Sequence, residues 1–119
     1  MLVYIASPYS SEFTESFENL MHREERVDRV EEYIAKLYAD GNNKTVMFYS
    51  PILHCHEMAQ HYSLPTGHEF WESMDHIMID KSDRVEVLMM EGWKESKGVQ
   101  DEIAYANLTG KPISYINWQ

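Results

Sequence analysis

Short β-branched and aromatic runs alternate with segments of helical spacing along the whole chain, and this alternation restricts the fold more than any motif does. Residues 2–6 read as a strand. Residues 7–19, with Pro8 and several serines, read as a loop. Residues 23–39 read as a helix: Val27, Val30, Ile34 and Leu37 recur at helical spacing, and Gly41 is a stop signal. The acidic face of that helix (Glu24, Glu25, Asp28, Glu31, Glu32) reads as solvated surface. Residues 45–49 read as a second strand. Residues 51–66 read as a long connection holding a short helix around 57–61. Residues 69–79 read as a helix with Trp71, Met74 and Met78 on one side. Residues 85–89 read as a third strand, 99–108 as a helix and 112–116 as a fourth strand, with Gly110-Lys111-Pro112 ending the helix. Such alternation predicts one α/β domain, residues 1–119, with a parallel sheet covered on both faces and right-handed crossovers. Four strands in the order 2-1-3-4 make a trimmed flavodoxin-like or Rossmann-like three-layer sandwich.

Sheets of this kind place ligands at the carboxyl ends of the strands, near the point where strand order reverses. The unusual motifs converge on that edge. Ser7-Pro8-Tyr9-Ser10 follows strand one, residues 50–56 follow strand two, and Gly92-Trp93 and Ser96-Lys97-Gly98 follow strand three.

The stretch Ser96 to Glu102 carries the clearest chemistry. Strand, Gly-containing loop and helix follow in order, so Ser96 and the first free backbone N–H groups stand where an anion can bind. Glu102 lies three residues after Val99 and four before Ala106, on or beside the apolar stripe. A carboxylate there is paired or desolvated, and desolvation raises its pKa toward a range useful for chemistry. The plain alternative is a helix whose Asp101 and Glu102 favour the positive end of its dipole. Asp75, four after Trp71 and three before Met78, is a second carboxylate beside a stripe; its plain role is surface solvation. Two such groups are able to divide nucleophile and acid roles in glycosidic cleavage.

The remaining candidates keep two readings each. Ser7 and Ser10 supply donors to a ligand, or Pro8 marks an ordinary turn. Tyr4 and Tyr9 orient a carboxylate or line a sugar site, or simply pack. Trp71 and Trp93 stack on a base or fill the core. His54, Cys55, His56 and His61 hint at metal, but His56 to His61 is a five-residue step rather than the four that aligns two imidazoles on one helix face. No metal site is read there; His54 and His56 read as base-contacting, positioning or plain surface residues.

Composition narrows the partners. Twenty acidic residues against ten basic give a net charge of -10, which repels phosphate polymers and argues against a nucleic-acid polymer as partner. A small nucleotide in a local pocket remains compatible. The single Cys55 forms no intrachain disulfide and fits a reducing cytoplasm. No apolar run approaches the roughly 18 residues of a membrane span, and a strand-like start at Leu2 reads as the absence of a signal peptide. A four-strand sheet in a Met- and Trp-rich chain leaves apolar surface to cover. Trp71, Tyr62, Met58 and Met74 are candidates for a subunit contact, with a homodimer or dimer of dimers expected.

The pieces Tyr4-Ile5-Ala6-Ser7-Pro8-Tyr9-Ser10, residues 50–56, Trp71 with Asp75, Ser82-Asp83, Gly92-Trp93, Ser96-x-Gly98-Val99-x-x-Glu102 and Gly110-Lys111-Pro112-Ile113 span nearly the whole chain. In that order they resemble the nucleoside 2-deoxyribosyltransferase-like superfamily, most closely a small bacterial and phage branch. The Ser-x-Gly-x-x-x-Glu piece is similar to that of 2'-deoxynucleoside 5'-phosphate N-hydrolases. The resemblance implies Glu102 as nucleophile, Ser96 as 5'-phosphate ligand, and Asp75, eight before Asp83, as the group that binds or protonates the base. It implies a nucleoside or nucleotide substrate, Arg23 or Arg26 as phosphate charge partners, a neighbouring subunit at the site, and no metal or redox cofactor. Two features depart from the N-hydrolase pattern: the first loop is Ser-Pro-Tyr-Ser rather than Gly-rich, and the His-x-His connection after strand two has no counterpart. A nucleotide-binding module without turnover is the alternative.

Overall fold

The computed structural model describes residues 1–9, 17–41 and 44–118, with only the backbone of residues 17–21. Four strands, β1 (Leu2–Ala6), β2 (Met47–Tyr49), β3 (Arg84–Leu88) and β4 (Ile113–Ile116), pair in parallel in the order β2-β1-β3-β4. Four helices connect them: α1 (Phe17–Ala39), α2 (Pro51–Tyr62), α3 (His68–Lys81) and α4 (Lys97–Leu108). This is the expected α/β three-layer, flavodoxin-like arrangement.

The sequence of β1 explains its central place. Val3, Tyr4, Ile5 and Ala6 are apolar on both faces, as a strand covered on both sides requires, and all four are fully buried. Val3 and Ile5 face a core shared with Val30, Tyr33 and Ile34 of α1 and Ile52 of α2. Tyr4 and Ala6 face a second core with Ile79 of α3 and Val99 and Ala106 of α4. Tyr4 pairs with Tyr49 of β2 on one side and Val85 of β3 on the other. The connections leaving β1 and β3 run to opposite edges of the sheet, so the switch point lies between these two strands.

Buried polarity inside the sheet is satisfied both along the strand and across the fold. Glu86 of β3 accepts from the Tyr33 hydroxyl at 2.7 Å and from Arg84 at 3.1 Å. At the opposite, amino end of the sheet, Asp83 Oδ2 accepts from the Leu2 N–H at 2.7 Å.

Several expectations need correction. The connection after β2 is a three-turn helix rather than a long loop with a short helix at 57–61. Ser50 is its N-cap, accepting from Leu53 N–H at 3.3 Å, and Pro51 occupies the first turn, where its missing N–H costs nothing. Ile52, Cys55, His56 and Ala59 form its buried stripe. On α3 the buried positions are Asp75 and Ile79, while Met74 is exposed, so the inward face is turned from the one expected. Trp71 is half-buried and donates to the Pro65 carbonyl at 2.8 Å. On α1, Glu24 is not merely solvated; it bonds His56. Among the described residues, no helix is long and apolar enough to cross a membrane.

The capping assignment is testable. Ser50→Ala removes one side-chain acceptor at the start of α2 and is expected to cost about 1 kcal/mol in urea unfolding. No measurable loss would show that Pro51 alone defines the helix start.

Candidate functional site

Glu102 sits in the second turn of α4 and projects toward the sheet because its neighbours on that face, Val99 and Ala106, are core residues. It is 4% exposed. Its Oε2 has no hydrogen-bond partner, and neither has the hydroxyl of Tyr4. The two groups face each other: the Tyr4 hydroxyl tempers the rise in the Glu102 pKa, although their geometry falls short of a hydrogen bond. Unsatisfied buried polar atoms are rare and costly, and here two lie together at one place in the fold.

Asp75 joins them from α3 and is also buried. Burial raises the Asp75 carboxyl to about 6, with His68 and His76 opposing the rise and Asp101 adding to it. Burial pushes Glu102 well above the usual carboxylate range, and the Asp75 charge pushes it further. The Tyr4 phenol is raised by burial and then by Glu102 and Asp75. Tyr49, at the end of β2, is raised to about 12 by burial and by Asp75, Cys55 and Glu102. Burial takes the Cys55 thiol to about 11, with Asp75 adding to the rise. These five side chains therefore form one electrostatic cluster, built from β1, β2, α2, α3 and α4. Both phenols remain proton donors at neutral pH, facing two carboxyl groups that share little solvent.

The other expected residues divide. Ser7, at the end of β1, is buried and its Oγ is unpartnered. Gly98 adjoins the cluster: a Cβ there would stand 3.3 Å from His68 Nδ1 and 3.8 Å from Glu102 Oε1, so glycine keeps this corner open. Trp93 packs on the α3–α4 side of the core with its ring tilted against Tyr115. Ser96 caps α4, its Oγ accepting from Val99 N–H at 3.2 Å. Tyr9 hydrogen-bonds His56 Nδ1, whose Nε2 meets Glu24 at 3.0 Å. His56 is thus a buried strut between α2, α1 and the first loop. His54 is exposed, with only a tilted ring contact to Tyr49. Ser10 lies outside the described residues.

Arg26, expected beside a phosphate, donates instead to the Tyr9 carbonyl at 2.9 Å and the Glu91 carbonyl at 3.3 Å. Arg23 is buried over the Tyr9 ring with its Nε unpartnered. Sequence reasoning read Asp101 only as a helix-dipole partner and passed over His68, Glu72 and His76, which line the α3–α4 seam with it next to Asp75. The four-residue steps from His68 to Glu72 to His76 are the signal that marks them. A separate groove of about 440 Å³, bordered by His22, Arg26, Arg29 and Glu91, touches none of the carboxylate cluster.

The family model described as "Domain of unknown function (DUF1937)" matches residues 1–118, and the chain belongs to that family. No curated protein matches the chain.

The raised carboxyl groups have a signed consequence. In the unfolded chain Glu102 loses its proton near the ordinary glutamate value, while the folded chain holds it to higher pH. Stability is therefore greatest below that ordinary value and falls as pH rises through the folded one; Asp75 adds a fall between its ordinary value and about 6. Glu102→Gln removes the Glu102 contribution. The variant is expected to melt about 5 °C above wild type at pH 8, a gap that closes near pH 4.5. Equal melting temperatures at pH 8 would show that Glu102 is solvated when ionised.

Proposed function

We propose that this member of the DUF1937 family cleaves or transfers the N-glycosidic bond of a 2'-deoxynucleoside or its 5'-monophosphate. The observation that carries this reading is the unpartnered Glu102 carboxylate, buried beside a second carboxyl and a free phenol near the strand switch point. The resemblance to nucleoside 2-deoxyribosyltransferase-like proteins supports the substrate class.

In this reading an oxygen of ionised Glu102 attacks the anomeric carbon as the bond to the base nitrogen breaks. The bonding pair leaves with the base, which takes a proton from Asp75. An acid with a pKa of about 6 is well matched to that task near neutral pH. The sugar passes through an oxocarbenium-like state, whose positive charge favours the ionised form of the facing carboxylate. The Tyr4 hydroxyl, which faces Glu102 without bonding it in the resting site, would close on the ionised carboxylate and steady its attacking oxygen. Water then cleaves the glycosyl ester, giving hydrolysis, or a second base does so, giving transfer.

One observation favours the second reading, a nucleotide-binding module without turnover. Burial holds Glu102 toward its neutral form, which is a hydrogen-bond donor rather than a nucleophile.

Incubation with a panel of deoxynucleosides and deoxynucleotides, with free base followed by chromatography, separates the two. Release of base that Glu102→Gln abolishes and Asp75→Asn slows by about 10²-fold or more supports catalysis. Tight binding with no base released supports the module. Wild-type turnover by the Gln variant would refute Glu102 as nucleophile.

Assembly follows from the outer side of α3. Phe70, Met74 and Ile77 recur at helical spacing there and are 45%, 41% and 56% exposed. This moves the proposed two-fold contact from Trp71 to Phe70 and Ile77, on the back of the helix that carries Asp75. Light scattering should give a dimer that Ile77→Glu splits. A 14.1 kDa particle active at every dilution would refute it.

A further inference from the structure

The α3–α4 seam holds a set of donors that the glycosidic reading does not use. His68 and Glu72 lie one helical turn apart on α3, and Asp101 faces them from α4. One donor atom from each lies within 4.8 Å of the other two. His68 Nε2 stands 3.2 Å from Asp101 Oδ2, yet it is buried and makes no hydrogen bond. The imidazole thus turns a buried nitrogen toward the Asp101 carboxylate without forming an aligned hydrogen bond to it.

The surroundings brace this point. His76 Nε2 lies 2.7 Å from the same Asp101 Oδ2. Its ring stacks on Tyr105 at 3.8 Å and 7°, and the Tyr105 hydroxyl donates to Asp80 at 2.8 Å. Such a chain fixes the orientation of a ligating carboxylate, as outer-shell partners do in metal sites. Gly98 leaves room for the His68 ring, since a Cβ there would stand 3.3 Å from its Nδ1.

We propose that His68, Glu72 and Asp101 bind a divalent first-row transition ion, of which zinc is the representative. One imidazole and two carboxylates suit such ions better than magnesium or calcium, which favour all-oxygen shells. Bonds of about 2.0–2.2 Å require ligand atoms about 3.3–3.6 Å apart. His68 and Asp101, 3.2 Å apart, fall just short of that spacing, and small side-chain adjustments of these two and of Glu72 complete it. Three protein ligands leave a position open to solvent. Binding of the ion by these three residues does not require that the Glu102–Asp75 pair be catalytic.

Calorimetric titration of the intact, chelator-treated protein with zinc and, separately, magnesium tests this. One equivalent of zinc should bind at micromolar concentration or tighter, with magnesium at least tenfold weaker. Glu72→Gln and Asp101→Asn should each weaken zinc by tenfold or more, while His61→Gln, at an exposed position on α2, should not change it. Glu72 is half-exposed, so its Gln variant should keep the wild-type far-ultraviolet spectrum. Zinc should raise the melting temperature of wild type and not of that variant. Absence of zinc binding at micromolar concentration overturns the proposal, as does equal binding by the folded Glu72→Gln and Asp101→Asn variants.

Discussion

β1 is hydrogen-bonded along both edges and buried on both faces, and every other element takes its place from it. A strand in that position admits no slip, because a shift of one residue would exchange the two cores it separates. The register places Tyr4 against the α3–α4 layer and delivers Ser7 to the carboxyl edge. The polar cluster exists because an otherwise apolar strand carries one phenol on the face where α3 and α4 each turn a carboxyl inward.

That cluster opposes the stability of the fold. A core able to accept Val or Leu at these points instead holds Asp75, Glu102 and the Tyr4 hydroxyl, two of them with unpartnered atoms. Groups that break the local rule of burial without local compensation are where a functional site is expected, and replacing such groups commonly stabilises a fold. Glu86 is the instructive contrast. It is equally buried, but Tyr33 and Arg84 satisfy it, so it serves the architecture and invites no ligand.

Most of the fold was legible because hydrophobic periodicity is local. The strand and helix order, the end of α1 and the turn at Gly110 all follow from short windows of sequence. The first two turns of α2 were not legible, since His56 interrupts its apolar stripe and Ser50-Pro51 reads equally as a loop. Glu102 and Asp75 were legible as anomalous carboxylates because each lies on an apolar stripe within its own helix, and the structure buries both. The roles of His56, Glu86 and Asp101 were not, because Tyr9 and Glu24 for His56, Tyr33 for Glu86 and His76 for Asp101 lie 25 to 53 residues away in the chain. Ser96 shows the limit of motif reasoning: a serine at a helix start caps the helix whether or not it also meets a phosphate.

Arg26 bridges the loops that follow β1 and β3 with a single guanidinium. Gly92 has φ +88°, and a Cβ there would press to 3.2 Å from Arg26 Nη2, so the bridge fits only a glycine-shaped gap. Each charge-assisted bond is worth about 1.5–3 kcal/mol. Tyr9 and Glu91, one on each rim of the switch point, therefore answer to the same side chain: whatever displaces Arg26 loosens both at once.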